Sequence, residues 1–302
     1  MTTGEANRPS RRARLSRRAI LRASGASIGV LGLATHQAGA HEDHEDDDGH
    51  GHDDGHGHDH EIYDGECPEP TLSPSMLHYD HSLERVCSDD HPATEALQAE
   101  IREALERRFP TVGALIEDGY LPYFDLFSNR GPGGWSHWIN PEYIADDRVM
   151  DPERPESVLV DHEWWRPIGV MYVAVQNDEP VESPPAAYET DEGEACVPWH
   201  AHAGLPGRYA WGKYQRVWAG DSRMNLELPC MTPWMMHVWT YPHPTSIYAH
   251  AAPPQEDRGG PPAEPAGFDT SVDPQEEPLS PEVLPDAVKH QKRRRISQRW
   301  WD

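Results

Sequence analysis

Lysine is nearly missing from this 302-residue chain: Lys213, Lys289 and Lys292 are the only three, against 23 arginines. Phenylalanine is almost as scarce, with four residues beside 11 Trp and 11 Tyr. Hydrophobic residues make up only 36% of the chain. No apolar run reaches the roughly 20 residues that a membrane-crossing helix needs. Beyond residue 40 several signatures of common chemistries are missing as well. There is no Gly-x-x-x-x-Gly-Lys-Ser/Thr loop to cradle phosphates, no Gly-x-Ser-x-Gly nucleophile elbow and no His-Glu-x-x-His helix. No two of the four cysteines are spaced as Cys-x-x-Cys, which leaves a finger-type zinc site without support.

Acidic residues are in large excess. The chain carries 52 Asp and Glu and a formal charge of −26. The first forty residues hold seven Arg and one Glu, so the remainder has 19 basic against 51 acidic residues, a net of −32. Such a surface repels nucleic acid and anionic lipid, and neither is expected as a partner. Carboxylates in abundance with scarce Lys resemble the proteins of salt-loving archaea, where high ionic strength screens the self-repulsion. The acidity then concerns solvation in a halophilic setting and names no substrate.

The N-terminus reads as an export signal. "SRRAILR", residues 16–22, resembles the twin-arginine signal: Ser16, the pair Arg17 and Arg18, then apolar Ile20 and Leu21. A short Gly-rich apolar run follows, and "AGA" at 38–40 supplies the small residues of a cleavage site. The resemblance implies the twin-arginine translocon as partner, a protein secreted to the cell envelope or beyond, and cargo that is folded before export. No Cys follows the apolar run, so no lipid anchor is expected.

After the cleavage site comes "HEDHEDDDGHGHDDGHGHDH", residues 41–60, with seven His in twenty residues. His41, His44, His50, His52, His56, His58 and His60 lie among Asp, Glu and Gly with no apolar residue to offset ordering entropy. The tract is expected to be disordered and to bind several divalent ions weakly. Its bland counterpart is an acidic solvating spacer. Cleavage after Ala40 would make His41 the new N-terminus, where amino group and imidazole can chelate copper together.

Residues 67–251 are expected to form one globular α+β domain: helices first, then a mainly antiparallel sheet. Asp90 is the expected cap of a helix through "ATEALQAEIREALERRF", with Leu97, Ile101, Ala104 and Leu105 on one face and Pro110 ending it. "TVGALIED" is a second short helix. "YLPYFDLF", "ESVLV", "IGVMYVAV", "YQRVWAG" and "WMMHVWTY" read as strands, and "NRGPGGWSHWINP" as a Gly-rich loop. From residue 252 the Pro-rich text is expected to be a disordered tail ending in the basic "KHQKRRRISQRWW". Four cysteines in an exported protein favour disulfides. Cys67 with Cys87 and Cys196 with Cys230 is the simplest of three connectivities, and buried thiols are the alternative.

The chemistry is concentrated in "VPWHAHAG". On a strand, His200 and His202 project from one face. "WMMHVWTY" offers His237 on the face it shares with Met235, Trp239 and Tyr241. His200, His202 and His237 on neighbouring strands would hold one transition metal ion, with His137, His243 or His250 as a fourth ligand. Imidazole suits zinc, copper, iron and nickel alike, with copper or zinc the expected ion; Met231, Met235 and Met236 tilt toward copper, although Met at such spacing also packs cores. The alternative for each His alone is a hydrogen bond to backbone inside a Trp-rich core. "DHEWW" (Asp161, His162, Glu163) carries acid–base groups but reads as an exposed loop.

"VMDPERPESVLVD", "RPIGVMYV", "WHAHAG" and "MMHVWTYPHP" together are similar to a family of uncharacterised exported proteins sharing Asp-Pro-x-Arg-Pro-Glu, Gly-Val-x-Tyr and Trp-His-x-His segments. The resemblance spans about residues 115–250 and implies a domain and attention to His200 and His202, but no reaction. Three functions follow from the sequence: an exported metal-binding protein with a His core site and a metal-collecting arm; a metal-dependent oxidase or hydrolase at the same site; or a non-metal surface protein with an incidental His/Asp spacer. If Arg17 and Arg18 contact a translocon, changing both to Lys should leave the precursor inside, because Lys lacks the planar guanidinium fork. Cell fractionation decides it, and normal secretion of the double variant would refute the export reading.

Overall fold

The computed structural model describes residues 61–127, 133–219 and 228–259, and 263–288 except 264, 275 and 287. The expected signal sequence, the His/Asp tract and the basic end at 289–302 lie outside the described residues. Among the described residues twelve strands and five α-helices follow one another. They are β1 (Glu61–Ile62), β2 (Met76–His78), α1 (Ser82–Arg85), α2 (Pro92–Arg108), α3 (Val112–Glu117), β3 (Leu121–Pro122), β4 (Trp135–Ile139), α4 (Pro141–Ile144), β5 (Ser157–Asp161) and β6 (Arg166–Val173). Then come β7 (Val175–Gln176), β8 (Glu179–Pro180), β9 (Tyr188–Glu189), β10 (Ala195–Cys196), β11 (His200–His202), α5 (Leu205–Ala219) and β12 (Met235–Trp239). Eight strands form one sheet in the order β1-β2-β11-β12-β6-β5-β4-β3, antiparallel except for β1 with β2. The α+β expectation holds. Among the described residues no helix is long and apolar enough to cross a membrane.

The helices form where the sequence pattern places them, with one shift. Proline disfavours the helical conformation in the residue before it, so His91 is extended (φ −68°, ψ 131°) and cannot be the first helical residue. His91 is therefore the cap of α2, and its Nδ1 accepts from the Ala93 amide at 3.2 Å. Asp90, the expected cap, bonds the Ser88 hydroxyl instead. Glu95 near the start and Arg107 and Arg108 at the end suit the helix dipole. Ile101, Ala104, Leu105 and the following Phe109 are buried. Ile101, Leu105 and Phe109 pack on one face of the sheet against Trp138, Val158, Val170, Tyr172, Met236 and Val238.

The opposite face carries Ile139, Leu159, Met171, Val173, Met235 and Trp239, joined by Trp211 and Tyr214 of α5. Both of these regions depart from expectation. Tyr214–Ala219 of "YQRVWAG" is the end of a helix rather than a strand. Ala210, Trp211 and Tyr214 fall on one helical face and are buried, while Tyr209 is exposed; aromatic content mimicked a strand without its strict alternation. "WSHWI" is strand β4 and not loop. Its side chains alternate between the two faces, and the glycines lie only before it. In "YLPYFDLF" only Leu121 and Pro122 are strand, and Phe124–Phe127 is a 3-10 turn.

The disulfides are Cys67–Cys230 and Cys87–Cys196, with Cα–Cα distances of 5.3 and 4.9 Å. Pairing by sequence order fails because β2 and β11 are sheet neighbours. Cys87 follows β2 and Cys196 precedes β11, so the sheet order brings them together. The bridges span 163 and 109 residues, long loops whose closure restricts the unfolded chain most.

The folded part also extends past both expected boundaries. Glu61 and Ile62 pair with Leu77 and His78. Downstream, the Pro-rich run lies against the domain through Val288, with Ala263, Ala266, Leu279, Leu284 and Val288 buried. It has no periodicity because irregular backbone there is satisfied one group at a time. Trp165 Nε1 donates to the Glu277 carbonyl at 3.0 Å, and the Leu279 amide donates to the His162 carbonyl at 2.8 Å. Arg258 enters a buried pair with Asp161 at 2.7 Å and also donates to the Gly133 and Pro253 carbonyls at 2.9 and 2.8 Å. Asp161 and His162 are thus buried structural residues and not an exposed loop. Removing one partner of such a satisfied buried pair costs about 3–5 kcal/mol.

Two predictions follow from this packing. The Gly113 amide donates to the Ala266 carbonyl at 3.0 Å, and a Cβ on Gly113 would overlap the Gly267 backbone. Gly113→Ala should therefore cost about 1–3 kcal/mol by displacing that run; an unchanged Tm in thermal unfolding would show that the contact is not made. The second concerns Glu156, the last residue of "DPERPE". It is fully buried, its carboxylate accepts from the Val173 amide at 3.3 Å, and burial pushes its carboxyl well above the usual range of 4.5. The folded state then holds a proton that the unfolded chain releases, so this group's contribution falls as pH rises from the unfolded pKa toward the raised folded one. Glu156→Gln lacks that loss. Its stability relative to wild type should climb as pH rises from the usual 4.5 toward neutrality, read from denaturant unfolding at several pH values. A constant difference across that range would refute it.

Candidate metal centre

β11 lies between β2 and β12, with His200 opposite His78 on one side and Met235 on the other. Directly opposed residues share a face, so His78, His200 and Met235 point the same way, and so do His202 and His237 two residues along. Ala201 between the two histidines turns to the α2 side, where it is buried. The His202 amide donates to Thr232 Oγ1 at 2.7 Å, which extends the anchoring of β11 beyond its short ladder. His137 reaches this face from the far side of the sheet. It sits opposite Leu159 on β5, and β6 and β12 follow.

His250 arrives from the segment after β12, which folds back on the strand. The Trp239 amide donates to the Ile247 carbonyl at 2.9 Å, and the Trp239 indole donates to the Ala249 carbonyl at 2.7 Å. The Asp89 carboxylate accepts from Ser246 Oγ at 3.0 Å and from the Ile247 amide. Tyr248 meets Thr94 of α2 through their hydroxyls at 3.1 Å. His243 caps the turn, its Nδ1 accepting from the Thr245 and Ser246 amides at 3.1 and 3.2 Å.

Four imidazoles converge on the outcome. His200, His202 and His250 each offer a ring nitrogen, all within 4.8 Å of one another. The His200 ring centroid lies 5.5 Å from His202, 5.3 Å from His237 and 5.1 Å from His250. His237 and His250 are stacked at 5.2 Å. Two nitrogens on one zinc or copper ion can be at most about 4 Å apart, so no pair has to close by more than roughly an ångström. His200 and His237 are buried, and His200 Nε2 has no hydrogen-bond partner. Burial holds the His200 imidazolium well below its ordinary range, and the neighbouring imidazoles of His250, His237, His202 and His78 add to the effect. For His237 burial again comes first, then His137, against a hydrogen bond to the His250 carbonyl. Both rings are thus neutral near pH 7, the form that ligates metal.

The expected set was His200, His202 and His237 with His137. All four share the face, but the group of three that fits an ion contains His250. His237 Nδ1 donates to the His250 carbonyl at 3.0 Å, and its Nε2 faces His137 Nε2 at 3.2 Å. Of the other expected fourth ligands, His243 is occupied by its turn. Met231 and Met236 lie in the core on the α2 side; of these three methionines Met235 alone is on the histidine face, which it shares with Met171 opposite His237. His78, whose ring is 6.4 Å from His200, escaped notice because "MLHYD" carries no pattern; its strand partner supplies the meaning. No family model, curated protein or solved structure matches the chain.

Proposed function

We propose that this chain is an exported metal-binding protein that holds a transition metal ion, copper or zinc, on His200, His202 and His250, while the tract at 41–60 gathers ions outside the domain. The observation that carries the reading is the convergence of three imidazole nitrogens from β11 and the folded-back segment, one of them buried without a hydrogen-bond partner. A buried nitrogen left without a partner forfeits its hydration, about 1–3 kcal/mol, unless something binds it. An ion at that point accepts all three lone pairs. Export rests on the twin-arginine pattern and is supported by two disulfides, which persist in oxidising compartments. One specific observation favours an enzyme as second reading. A three-nitrogen set leaves a coordination position open, as a metal-dependent oxidase or hydrolase needs.

The test is metal content and titration of the mature protein beside a His200→Ala/His202→Ala variant and a version lacking residues 41–60. The ion held by His200, His202 and His250 should survive loss of the tract and be lost from the double variant, lowering its tight stoichiometry by one, with folding checked by circular dichroism. Equal tight stoichiometry in all three would refute the core site and leave the surface-protein reading.

A further inference from the structure

His137 and His237 form a second pair with a different geometry. Both approach through Nε2, and the two atoms are 3.2 Å apart. Each ring has its other nitrogen committed. The His250 carbonyl can only accept, so His237 Nδ1 carries the hydrogen of their 3.0 Å bond. His137 Nδ1 lies 2.7 Å from Asp125 Oδ2, a carboxylate oxygen that also accepts the His137 amide at 2.9 Å. With Nδ1–H spent on both rings, each Nε2 is turned toward the other at hydrogen-bond distance, and a positive charge between them, a metal ion or a shared proton, is what the geometry accommodates.

The spacing suits a metal ion. Two imidazole nitrogens bonded at about 2.05 Å at the tetrahedral angle are about 3.3 Å apart. A carboxylate behind a ligating histidine is the usual outer support: it sets the tautomer, orients the ring and raises its basicity. Trp135 closes the side, its ring 5.0 Å from His137 and 5.9 Å from His237. The pair also adjoins the first group, because the His237 ring is 5.3 Å from His200 and stacks on His250.

We infer that the face holds two metal positions: His200, His202 and His250 bind one ion, and His137 and His237, backed by Asp125, bind a second beside it. This rests on the metal reading above and adds the second ion. Two nitrogens fill only half of a tetrahedral shell, so the second ion keeps positions for solvent or a small exogenous ligand. Neighbouring ions can share such a ligand, which suits two-metal activation of a small molecule rather than storage. Asp125 is a positioning residue, since it acts through His137.

The experiment loads the mature chain with zinc, removes weakly held ions with a mild chelator and counts what remains. Wild type should retain two ions per chain. His137→Gln should retain one and His200→Ala/His202→Ala one. Asp125→Asn keeps the shape of the carboxylate, and it should weaken the second ion by about 10–100-fold while leaving the first unchanged. If wild type retains one ion that His137→Gln keeps and the double variant loses, the second position does not exist and the proposed function stands. A proton shared between the two rings then explains the close nitrogens. One ion lost in both variants means a single shared site, which also overturns the inference. No retained ion in wild type defeats both readings. X-ray absorption on the loaded wild type gives a readout independent of folding in the variants: metal–metal scattering supports two ions, and its absence at full loading opposes them.

Discussion

The pairing of β11 with its two neighbours governs everything on the histidine face. Only three residues of β11 are strand, and they pair with β2 at three positions and with β12 at one. Strand side chains alternate with period two, so a slip of one residue would send His200 and His202 into the α2 core and bring Ala201 to the site. The register resists such a slip. Ala201 is wholly buried on its own side, and a histidine there would displace the packing of Leu77 and Met236. The disulfides add to this, one ending four residues before His200 and the other seven before His237.

A buried group of imidazoles is an expensive arrangement for a protein core. Each ring brings two nitrogens, and each nitrogen left without a partner costs free energy. The chain offsets this partly by spending backbone carbonyls and one carboxylate on the outer nitrogens: His250 O for His237 and Asp125 for His137. The inner nitrogens then face one another. Nothing about sheet stability requires that, because apolar residues occupy the same face a few positions away, at Met171, Val173 and Leu159. The polar cluster sits where apolar packing would cost less, and this supports reading it as a group that could hold a metal ion.

The same economy of backbone groups accounts for the run after residue 252. Proline and glycine prevent regular structure there, so each carbonyl and amide must find an individual partner. Arg258 supplies several at once and meets a fully buried Asp161. Gly169, opposite Trp239, has the matching role inside the sheet. A side chain there would collide with the Val238 carbonyl oxygen and press on Trp239, which forms part of the wall behind His237.

Periodicity and punctuation in the sequence were enough for α2, α3, β5, β6 and β12, since each obeys a local rule of alternation, helical spacing, capping or Gly/Pro boundary. The face shared by His200, His202 and His237 was legible for the same reason: alternation is a property of the strand alone. The helix α5 and the strand β4 were not, because aromatic residues serve both states and only the packed face tells them apart. The extent of the Pro-rich run was hidden because its stability comes from single contacts with distant residues. The disulfide partners, the place of His250 in the metal-capable group and the meeting of His137 with His237 depend on the order β2-β11-β12-β6-β5-β4. That order joins residues up to 163 positions apart, and strand order is decided by which apolar faces fit together in the folded chain, a property that no local stretch of sequence contains.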